Sequence, residues 1–167
     1  MKKQLLMSVA AFCAMGLSAG AWAADAATAD EVVGKVKEAA AAVKASSADV
    51  VLSEFDKKDG KWAWKDTYVF VLDCTAGTMK AHPNEKVKGM KLADLKDKAT
   101  DKEIGTALCN AAKMTKGGWV EYMWTKPGAE GNHRKVAYVL SAGNYQVAAG
   151  VYDDKLTAKD LEAKSAK

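Results

Sequence analysis

The stretch Tyr68-Val69-Phe70-Val71-Leu72, closed by Asp73, is apolar at every position before the aspartate. A strand with one wet face alternates apolar and polar residues. An unbroken run therefore predicts a strand covered on both sides. The aromatic and β-branched character begins at Trp62, so the strand is expected across Trp62 to Asp73. Thr75-Ala76-Gly77 is a turn signal, and Thr78-Met79-Lys80-Ala81-His82 reads as the returning strand of a hairpin. Pro83 has no N–H for a ladder and ends it.

Downstream, Asn84 to Ala99 is rich in lysine and aspartate, with Leu92 and Leu95 as anchors of a loop carrying a short helix. Thr100 and Glu103 have the spacing of a capping box, and Ile104, Leu108 and Ala111 recur at helical intervals. A packed helix is expected over residues 101–115, ended by Gly117-Gly118. Three strands follow: Trp119 to Trp124, Lys135 to Leu140 and Tyr145 to Tyr152, joined by the turn-rich segments Lys126 to His133 and Ser141 to Asn144. That succession describes an antiparallel meander.

Upstream, Thr28 and Glu31 form a T-x-x-E capping box, and Val32, Val36, Ala39, Val43, Val50 and Phe55 share one stripe. The stripe predicts one amphipathic helix of roughly 25 residues lying on something apolar. Lys57-Lys58-Asp59-Gly60 breaks it. Long helix, two strands, helix and three strands make an α+β domain, an antiparallel sheet with helices on its faces.

The two ends of the chain read differently from the middle. Lys2 and Lys3, an apolar run from Leu5 to Leu17, and Ala21-Trp22-Ala23 have the order of a secretory signal peptide, residues 1–23. The apolar run is shorter than a bilayer span, so a free mature chain without membrane insertion is expected, periplasmic or secreted. Residues 24–153 are expected to form the domain. Residues 154–167 read as a polar tail, in which Thr157 caps a short exposed helix outside the core. The formal charge of +4 loses two lysines with the leader, and Arg134 is the single arginine. No basic stripe is left for nucleic acid. Of three cysteines, Cys13 leaves with the leader, and Cys74 and Cys109 remain in an oxidising compartment where a disulfide is expected. The alternative is two separate buried thiols.

Tyr68 to Asp73, Gly77, Ala81-His82-Pro83, and Gly89 with Leu92, Leu95 and Asp97 resemble the first half of the single Cache sensor domain. Gly118-Trp119-Val120-Glu121-Tyr122 with Trp124 and Pro127, then Lys135 to Val139 and Gly150-Val151-Tyr152, resemble its second half. The resemblance implies a PAS-like five-stranded antiparallel sheet on a long N-terminal helix, enclosing a small-ligand pocket. It also implies the outer part of a chemoreceptor or sensor kinase, and a short-chain carboxylate ligand such as acetate, propionate, pyruvate or lactate. Cys74 after the first long strand, and the lack of a glycine in Asp97 to Thr100, depart from the family pattern.

A carboxylate needs a cation or several hydrogen-bond donors, and an apolar wall for its alkyl end. His82, Trp119, Tyr122, Lys135 and Tyr138 are the ligand-binding candidates, with Trp124 and Tyr68 as second choices. His82 reads equally as a structural histidine pinning its loop, and Lys135 as a surface lysine that the resemblance raises. Alternation puts Tyr122 and Trp124 on one face of their strand and Trp119 on the other. The sequence has no nucleophile elbow, metalloprotease motif, phosphate loop or haem-attachment motif. Neither an enzyme nor a cofactor nor a metal site is therefore expected. The function expected is binding of a small organic acid, read by a membrane-bound chemoreceptor or sensor kinase. The N-terminal helix is a candidate homodimer face. The alternative is a protein-interaction module with a non-functional pocket.

Overall fold

The computed structural model describes residues 25–45 and 48–165, so the leader reading of residues 1–23 lies outside the described residues. Its main sheet has five antiparallel strands: β3 (Phe70–Asp73), β4 (Thr78–Ala81), β5 (Gly118–Thr125), β6 (Asn132–Ala142) and β7 (Tyr145–Tyr152). Their spatial order is β4-β3-β7-β6-β5. The meander is formed as expected, and β3 is hydrogen-bonded on both edges with Phe70, Val71 and Leu72 buried.

The expected strand from Trp62 to Asp73 is divided. Ala63–Trp64 (β1) and Thr67–Tyr68 (β2) form a separate two-stranded ribbon, and the main sheet begins at Phe70. Between them Lys65 turns through φ +49°. Buried Asp66 accepts the Ala27 N–H at 2.8 Å, tying this turn to the start of the N-terminal helix.

Helix α1 (Ala29–Ala45) starts with the predicted capping box: the Thr28 N–H donates to Glu31 Oε2 and the Glu31 N–H to Thr28 Oγ1. Val32, Val36, Ala39 and Val43 are buried, and the helix lies across β6 and β7. Its apolar stripe is thus consumed within the chain, and a dimer through this helix would meet its polar outer face. A second helix, α2, runs over Ala48–Phe55; residues 46–47 are not among those described. The expected stripe carries into α2 only at Phe55. Val50 is 65% exposed, while Leu52 and Phe55 are buried, Phe55 against the Trp62 ring at 5.0 Å.

The second capping box does not form. Helix α3 is Ile104–Ala111, with Glu103 as its N-cap and no side-chain cap bond. Asp97 organises the preceding loop instead, its carboxylate accepting the N–H groups of Ala99 and Met123, and Asp101 turns through φ +56°. Leu92 and Leu95 are buried as anchors, Leu92 in a short 3-10 turn, Leu92–Asp94. The disulfide between Cys74 and Cys109 ties the end of β3 to α3. Helix α4 (Ala158–Ser165) is capped at Thr157. It is not outside the core as expected: Leu161 is 4% exposed and packs with the α1 side of the sheet.

Two apolar layers result. Val136, Tyr138, Val147, Ala149 and Val151 face α1. Phe70, Leu72, Val120, Ala137, Val139 and Ala148 face α3 and the loop before it.

Candidate functional site

Strand alternation decides which candidates meet. On β6, Lys135 shares parity with Ala137 and Val139 and points to the α3 side, whereas Tyr138 shares parity with Val136 and points to α1. On β5, Tyr122 and Trp124 take the α3 side with Val120, and Trp119 takes the α1 side. Trp119 and Tyr138 are cross-strand partners with ring centroids 5.2 Å apart, and the Tyr138 hydroxyl donates to the Lys116 carbonyl. They cannot line a cavity with Lys135, because a one-residue step along a strand reverses the face. His82, Tyr122 and Lys135 do come together, joined by Tyr68 and Trp124.

Lys135 is fully buried. Its Nζ lies 4.1 Å from the Tyr68 ring centroid and 5.1 Å from those of Phe70 and Tyr152. Ring faces attract an ammonium. They do not replace a hydrogen-bond acceptor, and the Lys135 Nζ has none among the described residues. Burial pushes its pKa down to about 7, and the charge of Asp66 opposes that fall. The stem reaches this position across Gly150, where a Cβ would stand 2.9 Å from Lys135 Cε and from the Val136 carbonyl oxygen.

His82, at the end of β4, packs edge-on to Tyr68 at 4.9 Å and to Trp124 at 6.4 Å. Its Nδ1 accepts the Asn84 N–H at 2.9 Å, which leaves Nε2 to carry the proton. Burial, then the nearby Lys135 charge, push its pKa down to about 3, so the ring is a neutral donor. Burial likewise pushes the Tyr68 hydroxyl up to about 12 and the Tyr122 and Tyr152 hydroxyls well above their ordinary value. Trp124 Nε1 donates to the Tyr68 hydroxyl at 3.0 Å, and the Tyr152 hydroxyl to the Thr125 carbonyl at 2.7 Å. The site is one cation among neutral hydroxyl and imidazole groups, bordered by Met79, Leu95, Ile104 and Leu108.

The space between these side chains is about 10 Å³, room for a single water. Outside it lies an open cleft of about 670 Å³, lined by Lys58, Trp64, Lys65, Thr67 and Lys126. Tyr68 and His82 border both spaces. Sequence reasoning did not name Phe70, Tyr152, Asp66 or Gly150 among the site residues. Tyr152 was traceable, since it sits opposite Lys135 in the β6–β7 register. Among the described residues no cluster of His, Cys, Asp or Glu could hold a metal ion, and no helix is long and apolar enough to cross a membrane.

Solved structures share this architecture. A methyl-accepting chemotaxis protein from Vibrio parahaemolyticus superposes with a TM-score of 0.61 at 20% identity, covering 79% of this chain and 89% of that one. A periplasmic sensor domain of a chemotaxis protein gives 0.55 at 24% identity, over 72% and 87% of the two chains. A Cache chemosensory domain described for carboxylic acid recognition gives 0.55 at 23% identity, over 75% and 92%. No curated protein sequence matches the chain. The sequence model of the Cache domain matches residues 43–159, more than two thirds of the chain. The chain belongs to the Cache domain family of non-enzymatic, ligand-sensing domains.

Proposed function

We propose that the protein captures a short-chain carboxylate, of the acetate, propionate, pyruvate or lactate class, in the cavity around Lys135. The observation that carries this reading is a fully buried ammonium with no hydrogen-bond acceptor among the described residues, lining a small space beside neutral donors. Burying an unpaired cation costs several kcal/mol, and an anionic guest offsets that cost. His82 Nε2 and the hydroxyls of Tyr68 and Tyr122 are the neutral donors assigned to the guest's oxygens, and Ile104 and Leu108 the wall for its alkyl end. Trp119 and Tyr138 have no part in this reading. Because the present space suits one water, the guest enters by displacing Tyr68 and His82 from the cleft side.

The proposed setting is the periplasm after removal of residues 1–23, with a membrane-bound chemoreceptor or sensor kinase as the reader of the bound state. The disulfide, and a similar structure described as a periplasmic sensor domain, support that setting. Thermal shift with the four acids tests the ligand class. A ligand at 100 times its Kd adds about 2.7 kcal/mol, and the absence of any shift at millimolar concentration would overturn the reading.

One observation favours a second reading, in which the chain is an interaction module with a non-functional pocket. The inner space is already largely filled by Tyr68, Phe70, Tyr122 and Trp124. Under that reading Lys135→Met leaves partner binding unchanged. Under the first it abolishes the ligand-dependent shift.

A further inference from the structure

The interior has an unbalanced charge inventory. From β2, Tyr68 faces the Lys135 ammonium; from β3, Phe70; from β7, Tyr152. His82, beyond β4, and Tyr122, on β5, line the same space. The 3-10 turn and α3 contribute apolar side chains, Leu95, Ile104 and Leu108. Asp66 is the carboxylate whose charge reaches Lys135, and it is held elsewhere, by the Ala27 N–H and by Lys126 Nζ at 2.9 Å. The pocket therefore has a single amine that can take a charge and no resident carboxylate bonded to it among the described residues.

We propose that this pocket binds a monocarboxylate together with one proton, forming a neutral ammonium–carboxylate pair, so that affinity falls as the solution becomes alkaline. The proposal rests on the carboxylate reading above and specifies how that site is regulated. A carboxylate beside a neutral amine buries one net charge, and an ammonium with no anion buries one of the opposite sign. The pair buries none and is the arrangement of lowest cost. Burial holds the amine near its titration point at neutral pH in the absence of a guest. An anion in contact raises its proton affinity, and the proton comes from solvent: amine, carboxylate and one proton go to ammonium paired with carboxylate, with only an N–H bond formed. A dicarboxylate brings a second charge for which His82 and the tyrosine hydroxyls, all neutral, provide no cation.

Isothermal titration of the full chain with acetate, propionate, pyruvate and lactate at about pH 8, in phosphate and in Tris, tests this, because the two buffers release a proton with different heats. The expected result is a buffer-dependent heat equal to uptake of nearly one proton per site. Kd should weaken up to about tenfold per pH unit between about pH 7.5 and 9, and succinate should bind at least about 100-fold more weakly than propionate. In Lys135→Arg, whose guanidinium stays charged, the pH slope should vanish. Measurable binding with equal heats in both buffers and a flat Kd overturns the proton coupling and leaves the carboxylate reading standing. A slope that survives in Lys135→Arg, or succinate binding as tightly as propionate, also overturns the proposal. No binding of any of the four acids at any pH overturns both. The two-buffer comparison on the unaltered chain decides the matter if the arginine variant does not fold.

Discussion

Gly150 and Lys135 lie on neighbouring strands, and the missing side chain of the glycine is what lets the lysine stem cross β7. A Cβ at Gly150 would stand 2.9 Å from Lys135 Cε, 2.9 Å from the Val136 carbonyl oxygen and 3.0 Å from Ala137 Cα. The strand backbone cannot retreat readily, because β6 and β7 are paired throughout from Lys135–Tyr152 to Ala142–Tyr145. Gly150→Ala is therefore expected to cost about 1–3 kcal/mol by overpacking. It should also displace the ammonium and weaken carboxylate binding more than stability alone explains. Urea unfolding and titration with propionate, measured on the same variant, check both effects.

Lys135→Met replaces a buried amine with an apolar side chain of similar length. The variant should gain about 1–4 kcal/mol of stability while losing at least about 100-fold in carboxylate affinity. Opposite signs in denaturation and binding distinguish a functional residue from a packing one. A variant that loses both would mark Lys135 as structural.

Two buried bases should shape the pH profile of stability. His82 has its ordinary value of 6.5 lowered to about 3, so between those values the unfolded chain binds a proton that the folded chain does not. Stability is then lost as pH falls through that window. Lys135 has its ordinary value of 10.5 lowered to about 7, so stability should rise as pH climbs from about 7 toward 10.5. Urea midpoints measured across pH should lose the acid slope in His82→Gln and the alkaline slope in Lys135→Met.

The Cys74–Cys109 bridge closes a separation of 35 residues. In the chain-entropy account a loop of that length contributes about 4 kcal/mol. Replacing both cysteines by serine should lower the unfolding free energy by about 3–4 kcal/mol, read as a lower urea midpoint. It should also loosen α3, whose Ile104 and Leu108 form one wall of the cavity. Ligand affinity should then fall with stability.

Trp119 is on the α1 side of the sheet, so Trp119→Phe should change ligand affinity by less than about twofold while costing about 1–2 kcal/mol of stability. Tyr122→Phe, on the α3 side, should do the reverse. A Trp119 variant with impaired binding would contradict the assignment of faces.

Local chemistry determined much of this molecule without reference to anything distant. The Thr28–Glu31 box, the meander from Trp119 to Tyr152 and the stripe from Val32 to Val43 depend on periodicity and on contacts a few residues apart, which is what a linear sequence displays. The apolar run at Phe70 to Leu72 announced a strand covered on both faces for the same reason. Strand parity was also legible for Tyr122, Trp124 and Trp119 within β5.

Tertiary structure decided what parity on separate strands could not. The opposition of Tyr138 and Lys135, three residues apart on one expected strand, follows from period 2 alone, but only the sheet's assembly fixed which layer held His82. Asp66 broke the first strand, and Asp97 displaced the start of α3, because each carboxylate found backbone N–H donors far along the chain or across a loop. The burial of Lys135 was the least accessible feature of all. A lysine's ordinary preference is water, and only the closing of rings from three strands over it, together with the space left by Gly150, turned a surface residue type into the charged centre of the interior.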